Sequence, residues 1–279
     1  MGNMFTGLFW AVFLVTADGG APALLTAKEH PWGSFLPNSW RIVQTVTISN
    51  IDGRPVQSQQ TIRTTHQSID ESGITLQKSE TLVIGGRNVE KNPQNVKYDF
   101  FQEPIQENVR ISAGESVKLT IGKKVVPCAV RIYEQQTSSG RLTTTIWYTP
   151  HVFPYILRVE KILRSSPEGD NAGGRIIRQT VTLVQTTSAL QSLRGNRRNR
   201  TYTLQTVEKA GNITRITDSH CSWDVPGGLL ESTTREFDDQ NREVRRSVSR
   251  MTNYFSYEVR PSMPLRYRSG LPLPVDVTY

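Results

Sequence analysis

The chain has 279 residues, enough for one large domain or two small ones, and 36% of them are hydrophobic. Aromatic residues make up 8% and Val, Ile and Leu are abundant, so a packed core is expected and a disordered chain is excluded. The formal net charge of +8 favours anionic partners such as a cell-envelope polymer. Frequent Thr, Val, Ser, Gln and Arg suit strands better than helices.

Residues 1–23 have the pattern of a signal peptide. An apolar run at 4–15 is too short to span a bilayer, and the small-x-small patterns at 15–17 and 21–23 both fit a cleavage site. Because no Lys or Arg precedes the run, a retained membrane anchor is the alternative. No lipobox cysteine follows it, and no later segment is long and apolar enough for a transmembrane helix. We therefore predict a secreted or periplasmic protein, not integral to the membrane apart from this segment, for which nucleic acid is not an expected partner.

Alternating apolar and polar residues predict a first β module over residues 30–164. In the stretch "WRIVQTVTISN", Trp40, Ile42, Val46 and Ile48 share one face, which is typical of a half-buried strand. Short glycine-rich turns separate the later strands, as in an antiparallel meander. The stretch "KYDFFQEPI" in the less regular part of this module fits a strand or an irregular crossover.

A stretch rich in Pro, Gly, Ser and acidic residues at 165–174 predicts a linker between two modules. A second β module is expected over 175–258, followed by a Pro-rich, extended tail over 259–279. The predicted fold class is mainly β, with antiparallel meander sheets in two related modules. A curved sheet or half-barrel is one arrangement that these strands allow.

The two modules contain the same order of hairpin, tryptophan, Pro-containing loop and strand. Trp147 and Pro154 in the first correspond to Trp223 and Pro226 in the second. The pattern "W…VPGGLLES" after a hairpin resembles bacterial secreted β-rich families of uncharacterised function, and is more distantly similar to lipoprotein-carrier (LolA/LolB-like) envelope proteins. The resemblance implies a curved antiparallel sheet that shelters acyl chains, and hence a lipid or other hydrophobic ligand. It carries over no functional residues.

The stretch "TDSHCSWDVPGG" holds metal-ligand types of side chain at Asp218, His220, Cys221 and Asp224. On a strand, Asp218 and His220 share a face while Cys221 points to the other, which divides the set. A catalytic cysteine needs a base within reach, and the adjacent His220 projects away from it. We therefore predict no catalytic, cofactor or metal site, and interpret the stretch as a strand end, a tryptophan anchor and a glycine turn.

The chain has two cysteines, Cys128 and Cys221, which are candidates for one disulfide in an exporting compartment. The alternative is a buried thiol at Cys128, because strand alternation places it with Val126, Val130 and Ile132. Since two cysteines form at most one bond, the hydrophobic core must supply most of the stability.

Arginines cluster at Arg194, Arg197, Arg198 and Arg200, where they fit phosphate or carboxylate groups or form a solvated loop tip. We predict a non-catalytic protein that binds or scaffolds through its sheet faces. One alternative is a hydrolase with a site between the modules, for which no motif is present. The other is a polyanion-binding module that uses the loop 194–200.

Overall fold

The computed structural model describes residues 24–51, 54–166, 174–187, 200–257 and 268–269. These ranges contain a short 3₁₀ turn at Ala27–Glu29 and fourteen β-strands. The strands are β1 (Trp40–Ile51), β2 (Arg54–Asp70), β3 (Gly73–Ile84), β4 (Arg87–Tyr98), β5 (Val109–Ile121), β6 (Lys124–Thr137), β7 (Gly140–Tyr148), β8 (Ile156–Arg164), β9 (Ile176–Thr187), β10 (Thr201–Ala210), β11 (Ile213–Ser222), β12 (Leu229–Phe237), β13 (Glu243–Ser256) and β14 (Arg268–Ser269).

All fourteen strands of the described ranges belong to one antiparallel sheet. Its order is β4-β3-β2-β1-β13-β12-β11-β10-β9-β8-β7-β6-β5, and β14 pairs with the end of β13. The two edges of this order are β4 and β5. The prediction of a mainly β, antiparallel fold is confirmed.

Strands from both predicted modules share this sheet. β8 pairs directly with β9, on either side of the predicted linker 165–174, of which residues 167–173 lie outside the described ranges. Because β1 pairs with β13, the strands of the second predicted module lie between β1 and β8. The predicted linker therefore joins two neighbouring strands of one sheet, and the division into related modules stays a prediction.

The less regular segment of the sequence contains two edge strands and the crossover between them. β4 and β5 are complete strands, and residues 99–108 connect one edge of the sheet to the other. Most of β4 is exposed. It therefore lacks the apolar alternation by which half-buried strands are recognised, which is why its sequence looked irregular.

Buried side chains form four clusters at one end of the sheet, where β1 begins and β7 and β11 end, which we call the closed end. Cluster one contains Leu25, Phe101, Tyr133, Ile146 and Tyr148. Cluster two contains Ile121, Val126, Cys128, Leu157 and Val184. Cluster three contains Phe153, Tyr202, Cys221 and Trp223, and cluster four contains Trp32, Ile74 and Leu76.

The sheet is strongly curved. Phe100 packs against both cluster one, which includes Ile146 of β7, and cluster four, which includes Leu76 of β3. These strands are nine positions apart, so they would lie roughly 43 Å apart in a flat sheet with a strand spacing near 4.8 Å. The predicted curved sheet is confirmed. We call the face that carries Tyr133, Ile146 and Tyr148, against which Phe100 of the crossover packs, its inner face. β5 also comes within 8 Å of β9, but there Ile121, Val126 and Cys128 of cluster two lie on the opposite face of the sheet from Ile146.

The segment 24–39 fills the closed end on the inner side of the curve. Its backbone is tied to three parts of the sheet by the hydrogen bonds Leu36 N to Tyr257 O at 2.8 Å, His66 N to Ser39 O at 2.8 Å and Gly227 N to Pro31 O at 3.2 Å. Its side chains Leu25, Trp32 and Phe35 are buried. The segment therefore joins β2, the end of β13 and the loop after β11.

Hydroxyl side chains line the middle of the inner face. One row of directly paired residues crosses the sheet and reaches Ile146, which places the whole row on the inner face: Thr47, Ser247, Thr234, Thr217, Thr206, Thr182, Val159 and Ile146. The neighbouring row, farther from the closed end, alternates in charge through Arg245, Glu236, Arg215 and Glu208. The inner face thus changes from apolar at the closed end, through hydroxyl groups, to ion pairs.

Candidate functional site

A pocket of about 260 Å³ opens on the inner face beside the crossover 99–108. Its apolar lining comes from Ile156, Leu157 and Val159 of β8 and Leu204 of β10, with Phe101 and Tyr202 as aromatic walls. Its polar lining includes Glu103, Lys161 and Thr182. The pocket thus combines an apolar floor with a charged pair at its rim.

The crossover is held in place by the carboxylate of Asp99. Its Oδ1 accepts hydrogen bonds from the backbone N–H groups of Phe101 at 2.9 Å and Glu103 at 3.0 Å. The hydroxyl of Tyr133 donates to its Oδ2 at 2.5 Å. The Phe101 ring then meets Tyr148 edge to face, with a centroid distance of 4.8 Å. This anchoring places the Phe101 and Glu103 side chains over β8.

The charged pair of the pocket joins the crossover to the sheet. The Nζ of Lys161 lies 2.8 Å from Oε1 and 2.9 Å from Oε2 of Glu103. Burial raises the pKa of the Glu103 carboxyl, and the Lys161 charge partly opposes this shift. Asp99 raises it further, because two neighbouring carboxylates repel each other. The attraction of Lys161 therefore only partly offsets the free-energy cost of removing the Glu103 carboxylate from water.

A cluster of polar groups lies behind the pocket wall at Tyr202. The Tyr202 hydroxyl hydrogen-bonds the thiol of Cys221, and the guanidinium of Arg41 lies nearby. Burial raises the pKa of Cys221 to about 11, against the hydrogen bond from Tyr202 and the Arg41 charge, which lower it. Arg41 also lies over the Trp32 ring at 5.7 Å, and its Nε and Nη1 atoms are covered.

The predicted disulfide is not formed in the structure. Cys128 and Cys221 are both free and buried, the first in cluster two and the second in cluster three. The alternative of a buried thiol at Cys128 agrees with its position beside Val126. Burial raises the pKa of Cys128 to about 12.

Thiol titration should therefore give a simple result. In the native protein at pH 7, neither Cys128 nor Cys221 should react with Ellman's reagent, because both thiols are buried and protonated. After denaturation without a reducing agent, two thiols should react. Finding none in the denatured protein would mean that the disulfide forms.

The structure places the other candidate residues of the sequence analysis on different faces of the sheet or outside the described ranges. Cys221 lies in cluster three with Trp223, whereas Asp218 and His220 lie on the outer face. Within the described ranges, no three His, Cys, Asp or Glu residues are placed to hold a metal ion. Arg200 is exposed. The other three members of the arginine cluster, Arg194, Arg197 and Arg198, lie outside the described residues.

Sequence reasoning missed the pocket itself. Glu103 and Lys161 lie 58 positions apart in the chain, and no local motif connects them. The one available signal was the stretch "DFFQE" at 99–103, which places two aromatic rings and two acids in an otherwise irregular segment. Such a stretch indicates a crossover with packed side chains, but it does not indicate which strand lies below.

Two solved structures are similar to this chain. One is a domain from Vibrio parahaemolyticus provisionally described as an outer membrane lipoprotein-sorting protein, with 10% identity over 84% of this chain and 86% of that chain, and a TM-score of 0.33. The other is a protein from Bacteroides fragilis provisionally described as exported and with a YmcC-like fold, with 9% identity over 78% of this chain and 98% of that chain, and a TM-score of 0.26. These matches agree with the resemblance noted in the sequence. No protein-family model and no curated protein matches the chain.

The described part of the chain contains no helix with the length and apolar character needed to cross a membrane.

Proposed function

We propose that this protein is a non-catalytic, secreted or periplasmic binding protein whose inner sheet face holds an amphiphilic ligand. The observation that carries the proposal is the pocket on the inner face, with an apolar floor at Ile156, Val159 and Leu204 and a polar rim at Glu103 and Lys161. Ligand sites generally combine a concave, mostly apolar lining with a few placed polar groups. Export is supported by the signal-like pattern of residues 1–23.

The gradient along the inner face supports an amphiphile rather than a wholly apolar ligand. The pocket opens where the aromatic core of the closed end meets the hydroxyl row at Thr182. An apolar chain gains free energy by leaving water for the floor of the pocket. A polar end placed toward Thr182 and Lys161 keeps its hydrogen bonds, whose loss would cost free energy.

A non-catalytic role fits the chemistry of the cysteines. A nucleophilic cysteine needs a thiolate, and burial raises the pKa of Cys128 and Cys221 far above neutral pH. The hydrolase alternative therefore gains no support from either thiol. No observation on the described residues favours the polyanion-binding alternative, because most of its loop lies outside them.

Binding can be measured with N-phenyl-1-naphthylamine, a neutral apolar probe whose fluorescence rises in apolar surroundings. We expect the wild-type protein to bind it saturably. Thr182→Trp places a large ring in the pocket and should raise the Kd about tenfold, a loss of about 1.4 kcal/mol.

A matched control lies on the same strand. Thr186 also hydrogen-bonds a threonine of β10, with a hydroxyl distance of 2.8 Å to Thr203, against 2.9 Å from Thr182 to Thr206. This second pair is exposed on the outer face, so Thr186→Trp should leave the Kd unchanged. Equal weakening by both variants, or no binding to the wild type, would contradict the proposal.

A further inference from the structure

We propose that the pocket selects an amphiphile with an anionic head group, which binds Lys161 by displacing the carboxylate of Glu103. The inference rests on the proposed function and adds the chemical class of the head group. In the structure, Glu103 occupies the place that the ligand's carboxylate or phosphate would take.

Lys161 is the pocket's available cation. The other cation that lines the pocket, Arg158, lies over the Trp147 ring at 4.6 Å and is paired with Glu160 at 3.2 Å. Lys161 contacts Glu103 alone among the acidic groups described around it. An anion that enters the pocket therefore meets one lysine, and competes with one carboxylate for it.

The two members of the pair differ in how freely they can separate. Lys161 belongs to β8, which is hydrogen-bonded on both sides to β7 and β9. Glu103 belongs to the crossover, outside the strands. An anionic ligand can therefore replace Glu103 at Lys161 by rotation of the Glu103 side chain alone, while the crossover backbone keeps its hydrogen bonds to Asp99. This asymmetry favours an anionic head group.

Displacement of Glu103 by the ligand's anion also removes a buried carboxylate from the neighbourhood of the Asp99 carboxylate. The Glu103 side chain is only 14% exposed, and the carboxylate of Asp99 lies close enough to oppose its charge. Displacement returns the Glu103 carboxylate toward water, where its solvation is recovered. The ligand's anion then takes over the Lys161 ammonium, while its apolar chain covers Val159 and Leu204. The Asp99 carboxylate stays bound by Tyr133 and the crossover backbone.

The test compares decanoate with decan-1-ol, which share an apolar chain and differ in the charge of the head. We expect wild type to bind decanoate about tenfold more tightly, as expected for a hydrogen bond between charged groups in a partly buried site. Lys161→Met should abolish this preference, because it weakens decanoate binding far more than decan-1-ol binding. Glu103→Gln should increase the preference, because it removes the competing carboxylate.

An exposed ion pair outside the pocket supplies the control. The Nζ of Lys97 lies 2.5 Å from Oδ2 of Asp70. Lys97→Met and Asp70→Asn change the net charge by the same amounts as Lys161→Met and Glu103→Gln. Neither should alter the preference. Equal affinity of wild type for decanoate and decan-1-ol would overturn the inference and leave the proposed function standing, as would a preference that survives Lys161→Met. Failure of both compounds to bind would overturn the two together.

Discussion

Gly227→Ala should destabilise the protein by about 3 kcal/mol, as the sum of a left-handed backbone and an overpacked contact. Gly227 has a φ of +70°, and an added Cβ would lie 2.6 Å from Trp32 Nε1 and 2.8 Å from Arg41 Cζ. Neither neighbour can retreat easily. Trp32 is buried in cluster four, and Arg41 is covered beside it. Urea unfolding followed by tryptophan fluorescence would measure the change.

Gly211→Ala separates the two contributions. Gly211, in the turn between β10 and β11, has a φ of +57°, and nothing lies within 4 Å of its added Cβ. Its substitution should cost only the backbone strain, about 1 kcal/mol. Equal losses of stability in the two variants would mean that the segment 24–39 does not pack against the loop after β11.

Acidification from pH 7 to pH 4.5 should remove about 2.5 kcal/mol of stability through His30 alone, at about 1.4 kcal/mol for each unit of pKa shift. His30 is 3% exposed, and burial lowers its pKa from 6.5 to about 3, with a smaller contribution from the charge of His66. The unfolded chain therefore takes up a proton in this range that the folded chain excludes. The stability is fully present above pH 6.5 and is lost as the pH falls toward 3.

His66 should act in the same direction. Its side chain is fully buried, and burial lowers its pKa below 6.5, although backbone hydrogen bonds oppose the shift. The measurement is the free energy of unfolding as a function of pH for the wild type and two variants. His30→Asn keeps an acceptor for the Trp32 backbone N–H, which lies 3.2 Å from His30 Nδ1.

The difference between wild type and His30→Asn isolates one histidine from the carboxylates that titrate in the same range. Between pH 6.5 and 4.5, the free energy of unfolding should therefore fall less steeply with decreasing pH in His30→Asn than in the wild type. His151→Asn, at an exposed loop position, controls for the loss of a histidine side chain. A slope that is identical in the wild type and His30→Asn would show that His30 is protonated in the folded protein.

The strands that alternation reveals were predictable from the sequence, because alternation reflects one buried and one exposed face. β1 begins at Trp40, as the pattern predicts, but the assignment of its faces was wrong in the middle of the strand: Thr47 is buried on the inner face, whereas Ile48 is exposed on the outer face. The hairpin of β10 and β11 turns at Gly211. The reading of Trp223 as an anchor is also confirmed, since it is 4% exposed and meets Phe153 edge to face at 5.2 Å. The exposed edge strand β4 carries no such pattern.

The sheet order and the pocket could not be predicted in the same way. Pairing of β1 with β13 joins residues about 200 positions apart, such as Thr45 and Ser249, and their small polar side chains do not indicate a partner. The pocket depends on the curvature that brings the crossover onto β8. That curvature results from packing of Phe100 and the segment 24–39 in the closed end, which no local pattern specifies.

Methyl NMR would test the central claim, that the inner-face pocket is the ligand site. With labelled Ile, Leu and Val methyl groups, titration with N-phenyl-1-naphthylamine should shift the signals of Ile156, Val159 and Leu204, which line the pocket. The exposed methyl groups of Ile84 and Val125 lie outside it and should not move. Shifts confined to Ile84 and Val125, with the three pocket residues unchanged, would contradict the claim.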